Sequence, residues 1–336
     1  MKKLIAAAVA TSVSAIALAD ISITGNANYE YFAKEDTSNL KSNYGVTEVN
    51  LFVKGQSGDT SVVANLEIDE SGDAAADTGI DIEDLYIKTK VGDFTVQAGD
   101  YASGTTALGG EIDNGSRAIN KVAISTNVGP ATVGYAVANG TNSGETGVYN
   151  TDGASVSVSM PIAGMTVQVK EDTDSYTLMG VKGELEGVNF RIEQKDNDSS
   201  STGDVLFYEV GTKVGALNVS YAAIDADKAG SVKEDDSSIF AREMAASNTG
   251  LTEVDGVTQL TMSTVMDGTT ITAKIGELTG TAGYQDAGFT QIGAKRKLAS
   301  GATINVTYDD YESPNIAIGS TMTDTQILEV DLSIAF

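Results

Sequence analysis

The chain has no cysteine, so a disulfide framework and a thiolate metal site are both out of reach. It has no histidine, which removes the commonest metal ligand and the usual general base near neutral pH. Tryptophan is absent, aromatics make up 6%, and only 3 of 336 residues are proline. Beyond residue 19 there is no run of about 18 apolar residues, which excludes helical membrane spans there. Positive charge is scarce: 21 Lys and Arg stand against 47 Asp and Glu, a net charge of −26. Such a balance does not bind nucleic acid through its phosphates; it attracts cations and divalent metals.

Glycine is plentiful, at 36 residues, and the chain keeps a two-residue rhythm. Its clearest stretch is the last one. Leu328, Val330, Leu332, Ile334 and Phe336 alternate with Glu329, Asp331, Ser333 and Ala335. That alternation predicts a strand with one apolar and one polar face. At the other end, Met1-Lys2-Lys3 precedes an apolar, Ala-rich run over residues 4–18 and a small-x-small site, Ala17-Leu18-Ala19. Residues 1–19 read as a secretory signal peptide rather than a membrane anchor, because the run is short and closed by small residues.

Between these ends, short strands alternate with turn signals, which predicts an all-β chain. Ile21, Ile23, Gly25, Ala27, Tyr29 and Tyr31 share one face; Val49, Leu51 and Val53, then Val62, Ala64, Leu66 and Ile68, continue it. Short connections read at 55–59, 91–93, 128–130, 161–164, 185–187, 214–216, 275–277 and 299–301. Longer, acidic ones read at 70–79, 141–153, 196–203, 225–256 and 311–324. Alternating short and long connections predict a transmembrane antiparallel up-and-down β-barrel over residues 20–336, rather than a sandwich. The turn count favours about 18 strands. A register error around Asp267-Gly268, or in the hairpin over residues 175–196, would reduce it to about 16. Apolar side chains then meet lipid, and their polar neighbours line a water-filled lumen.

Three stretches carry a resemblance to the general bacterial porins of Gram-negative outer membranes, particularly the acidic alphaproteobacterial type. They are Asp20-Ile-Ser-Ile-Thr-Gly-Asn-Ala, Val91-Gly-Asp-Phe-Thr-Val-Gln-Ala-Gly-Asp100 and the Phe-ended last strand. The resemblance implies a homotrimer in the outer membrane, in contact with lipopolysaccharide, each subunit enclosing a pore for ions and small polar solutes. It also implies that Leu332, Ile334 and Phe336 serve as a signal to the outer-membrane assembly machinery. The segment matching the family's constriction loop, residues 101–117, is short here. Glu111 and Asp113 are its only carboxylates, with Arg117 just beyond. The constriction is therefore wider than in the family, or shared with the long connection at 225–256, where residues 237–247 read as a short capped helix.

Barrel parity sends Lys88, Lys121, Lys170, Lys182, Arg191, Lys195 and Lys213 inward. Facing Glu111 and Asp113, they would set a transverse field that filters solutes by charge. The bland alternative is scattered lumen charges paired with neighbours such as Glu193 and Glu209. Asp225, Asp227 and Asp236 partly match a calcium loop, although Ala stands at the fifth position and Asp at the twelfth. Weak Ca2+ or Mg2+ binding by the acidic connections, without a dedicated cofactor, is the broader expectation. Tyr31, Tyr101, Tyr135, Tyr221, Tyr308 and Phe336 are expected in aromatic girdles at the membrane edges. No catalytic constellation stands out: Asp235-Asp236 and Asp309-Asp310 point to opposite faces of a strand, so the chain does not read as an enzyme. A passive porin is the leading function. A substrate-selective channel of the sugar-porin kind, and a secreted β surface protein, are the alternatives; few inward aromatics count against the first of these.

Overall fold

Strands form where β-branched and aromatic residues alternate with polar ones. The computed structural model describes residues 20–36, 41–71, 79–102, 117–138, 153–173, 175–198, 203–228, 254–281, 283–312 and 324–336. They form β1 (Asp20–Asp36), β2 (Lys41–Ser57), β3 (Thr60–Ser71), β4 (Gly79–Val91), β5 (Phe94–Ala102) and β6 (Arg117–Val128). Next come β7 (Ala131–Ala138), β8 (Gly153–Ile162), β9 (Met165–Asp172), β10 (Tyr176–Leu185), β11 (Val188–Asn197) and β12 (Val205–Val214). The last are β13 (Leu217–Ala226), β14 (Val254–Met266), β15 (Thr269–Gly280), β16 (Ala287–Lys297), β17 (Thr303–Glu312) and β18 (Asp324–Ala335). Residues 1–19, which hold the expected signal peptide, lie outside the described ones.

Each strand pairs antiparallel with its neighbours in sequence, and β1 pairs with both β2 and β18. The 18-stranded sheet is therefore closed into an up-and-down barrel. Closure removes both sheet edges, so every strand finds hydrogen-bond partners on each side.

Residues directly opposite each other in an antiparallel pair share a face. The register therefore sorts the whole ring once one strand is assigned. In β18, Leu328, Leu332 and Ile334 are exposed while Ile327 and Glu329 are buried. The even-numbered residues of β18 thus face outward and the odd ones inward. Followed round the ring, this parity puts Ile87, Ile124, Val156, Ile192, Val210, Ile275 and Ile292 outside, all exposed. An exposed apolar belt of this extent is what a barrel surrounded by lipid presents.

Two sequence expectations are corrected. Ile275, Gly276 and Glu277 are not a turn but lie inside β15. Gly276 is an inward position with no Cβ, and the Phe289 ring lies so close over it that a Cβ would collide with the ring and with the Thr258 carbonyl. The turn is at Asp267-Gly268, where both residues take positive φ, 47° and 76°. That pair of left-handed residues suits the tight hairpins that match strand twist. The hairpin from β10 to β11 is likewise intact, so the count is eighteen and not sixteen.

The lumen also departs from the expected uniformly polar lining. Val205, Phe207, Ala222, Ile224, Ala226, Val257, Leu278, Ala287 and Phe289 face inward on β12–β16 and form a buried apolar cluster. Inner faces are thus not uniformly polar. On β10–β17 inward side chains are buried toward the long connections, as with Leu178, Phe207, Val257 and Asp309. They are open toward the short turns, as with Lys213 and Asn218.

Candidate functional site

One side of the lumen is acidic. The ladders of β17, β18, β1 and β2 place Asp309, Glu329, Asp331, Glu30 and Glu48 on the inner face. Glu30 and Asp331 stand directly opposite each other, an arrangement that ordinarily destabilises a sheet. Carboxylate oxygens of Glu30, Glu329 and Asp331 lie within 4.8 Å of one another, close enough to share one hard cation. Amides surround them. Asn28 donates to Glu30 at 2.8 Å, Asn305 to Asp331 at 2.9 Å and Gln291 to Asp309 at 2.7 Å. Asn50 donates to Glu48 and, more weakly, to Asn26 at 3.4 Å.

The other side carries five of the predicted cations, although Lys34 and Lys54 also face inward on β1 and β2. In the ring of 18 strands, β10 is nine strands from β1 in either direction, so the two sides face each other across the lumen. Lys170, Lys182, Arg191, Lys195 and Lys213 all project inward from β9–β12. Lys182 is directly opposite Arg191. Arg191 lies 3.8 Å from both Glu193 and Glu209 and stacks 4.7 Å from the centre of the Phe207 ring. Glu193 is fully buried. Lys170 donates to the Tyr176 hydroxyl at 2.5 Å, and Lys195 sits 4.1 Å from the centre of the same ring. A cavity of about 1080 Å³ opens against this side, lined by Lys182, Glu184, Asn189, Arg191, Glu209 and Lys213 among others.

The remaining predicted residues fall as follows. Lys88 and Lys121 also face the lumen; Lys121 lies 5.2 Å from the centre of the Tyr101 ring. Arg117 opens β6. Glu111 and Asp113, the rest of the expected constriction, lie outside the described residues, as do Asp236 and residues 237–247. Asp225 is exposed on the outer face, whereas Asp227 accepts a hydrogen bond from the Asp204 amide at 2.8 Å. Leu332, Ile334 and Phe336 are exposed on the outer face. Tyr101 is not a girdle residue: it is buried inside, edge-on to Tyr86 at 5.4 Å. Inward aromatics are not few either, since Phe32, Tyr44, Phe52, Tyr176, Phe207 and Phe289 join Tyr86 and Tyr101 there.

Sequence reasoning named the cations and missed the acidic side. The signal was available: once β18 is read, its odd residues Glu329 and Asp331 must face the lumen. The apolar inner cluster also has a signature, because Val205-Leu206-Phe207 and Ala222-Ala223-Ile224 break the alternation and are apolar on both faces.

No protein-family model matches the chain, and no curated protein does. Solved structures do. OpdO of Pseudomonas aeruginosa superposes with a TM-score of 0.65 at 12% identity, over 94% of this chain and 97% of that one. OpdL of the same organism gives 0.64 at 9%, over 94% and 99%. OpdK, an outer membrane protein of that organism solved with vanillate, gives 0.60 at 8%, over 94% and 99%. At such identities the likeness establishes the barrel fold.

Proposed function

We propose that the chain is an outer-membrane channel through which small hydrophilic solutes and ions diffuse passively. One observation carries this reading. A closed barrel is apolar outside, while its lumen sets carboxylates on β17–β2 against cations on β9–β12 across the diameter. In a low-dielectric ring such a separation orders water, favours small polar solutes and leaves ion preference to side-chain charge. The same reading carries a signal peptide over residues 1–19, assembly as a homotrimer, and contact of the acidic long connections with lipopolysaccharide through weakly held divalent ions.

The test is conductance in planar bilayers. Stepwise currents that scale with salt, and a reversal potential favouring cations, are expected. Protein that stays dissolved without detergent and gives no steps would overturn the reading.

A second reading is a substrate-selective channel. It is favoured by the pairing of Lys170 and Lys195 on one tyrosine, on the same wall as the 1080 Å³ cavity that Lys182 and Arg191 line. Vanillate, added as a probe on one side, would interrupt the current saturably if this reading holds, and would leave it unchanged for a purely passive pore.

A further inference from the structure

We propose that Gly25 is the seat of the Phe336 ring, and that filling this seat is the step that closes the barrel. The proposal rests on the reading of the chain as a membrane barrel and adds a device to it.

Closing an up-and-down barrel means joining its first and last strands, which here lie some 300 residues apart in the chain, a large loop whose entropy must be overcome. The ladder between β1 and β18 ends in a reciprocal pair. Gly25 N–H donates to the Phe336 carbonyl at 2.9 Å, and Phe336 N–H donates to the Gly25 carbonyl at 2.9 Å. Both residues face outward, where Ile21 and Ile23 are 57% and 64% exposed. Gly25 alone among these is buried. The reason is the ring: a Cβ on Gly25 would stand 2.7 and 2.9 Å from two Phe336 ring carbons, and 2.5 Å from the Asn50 carbonyl of β2. The aromatic therefore occupies the volume that any other side chain at position 25 would need.

A second glycine of this region shows what is particular about the first. Gly45 of β2 is covered in the same way by Tyr29, with the hydroxyl 2.8 Å from its would-be Cβ. That pair joins two strands that are neighbours in sequence and meet early. Gly25 and Phe336 join the two that meet last. The seat is also built from both first strands, because Asn50 forms its floor. It is therefore complete only once β1 and β2 have paired, so the last strand finds its seat after the first hairpin exists. Any partner that pairs with the free edge of β18 uses the same Phe336 backbone groups, and has to leave before they reach Gly25.

The experiment refolds the full chain from urea into detergent micelles and follows closure by the heat-dependent shift in gel migration. Gly25→Ala is expected to lower the closing rate about tenfold when Phe336 is present, and only about twofold in a Phe336→Ala background, because neighbours that share one space are coupled. Equal effects in both backgrounds overturn the seat. A second measurement needs no variant of the barrel. A peptide with the sequence of residues 324–336, added during refolding of the wild-type chain, should slow closure. The same peptide with Ala in place of the Phe should do so at least about threefold less. Equal inhibition by the two peptides overturns the proposal. A wild-type chain that never gives the shifted band overturns the channel reading, and the seat with it.

Discussion

The two sides of the lumen set different groups against their carboxylates. On β17–β2 the donors to Glu30, Glu48, Asp309 and Asp331 are asparagine and glutamine amides. On β11 and β12 the partner of Glu193 and Glu209 is the Arg191 guanidinium. An amide donor leaves the charge of a carboxylate intact; a guanidinium beside it offsets that charge, here at 3.8 Å, beyond hydrogen-bond range. The amide contacts themselves cancel none of the first side's charge, whereas the charge of Arg191 is shared with Glu193 and Glu209 within the wall. A count of lysines and arginines would rate the cationic side the stronger. The pairing of Arg191 narrows that difference.

The largest expected effect lies on the cationic side and is structural. Arg191→Leu leaves Glu193 buried without its ion-pair partner, and should cost about 3 kcal/mol in urea unfolding from micelles. Adding Glu193→Gln should recover most of that loss. If Arg191→Leu is neutral by itself, the guanidinium does not hold this wall. Glu209→Gln should cost under about 1 kcal/mol, since that carboxylate is partly solvated.

Next comes selectivity. Glu30→Gln, Glu329→Gln and Asp331→Asn together should lower the cation-over-anion permeability ratio about fivefold, read from reversal potentials. They should also make the barrel slightly harder to unfold, since three mutually close carboxylates repel one another. A function that costs stability is the usual sign of a charged group kept for use. The matching change on the other side, Lys170→Gln with Lys195→Gln, should raise the same ratio only about twofold. Equal and opposite shifts would refute the idea that one wall is internally compensated.

Much of this architecture is legible in the sequence, for a physical reason. The face of a strand is fixed by counting in twos, so Leu332 outside, Lys182 inside and the eighteen-strand total follow from alternation and turns. Counting fails where a glycine means something else. Gly276 imitates a turn, yet it is a vacancy that Phe289 fills from the next strand. Only a non-local pairing, Gly276 with Phe289, distinguishes the two. Tyr101 shows the same limit: its parity is readable, but the edge-on contact with Tyr86 that keeps it inside comes from a neighbouring strand. The parity of Glu329 and Asp331 is readable too, but their grouping with Glu30 is not, for a related reason. Glu30 and Asp331 lie at opposite ends of the chain, and only closure sets them face to face.

The smallest effects separate exposed charges from enclosed ones through salt. Lys213 is exposed near the short turns and lines the open end of the cavity. Glu329 is 3% exposed and Asp309 2%. At 0.1 M salt the Debye length is about 10 Å, and at 1 M about 3 Å. A charge in open water is screened over that range, whereas one enclosed by protein is not. Lys213→Gln should therefore raise the cation preference by about a fifth at 0.1 M salt, and by nothing measurable at 1 M. The difference between wild type and the triple carboxylate variant should shrink with salt but persist at 1 M, because ions cannot surround Glu329. If both differences vanish together, the carboxylates are as accessible to salt as Lys213, and their burial contributes nothing to the field in the pore.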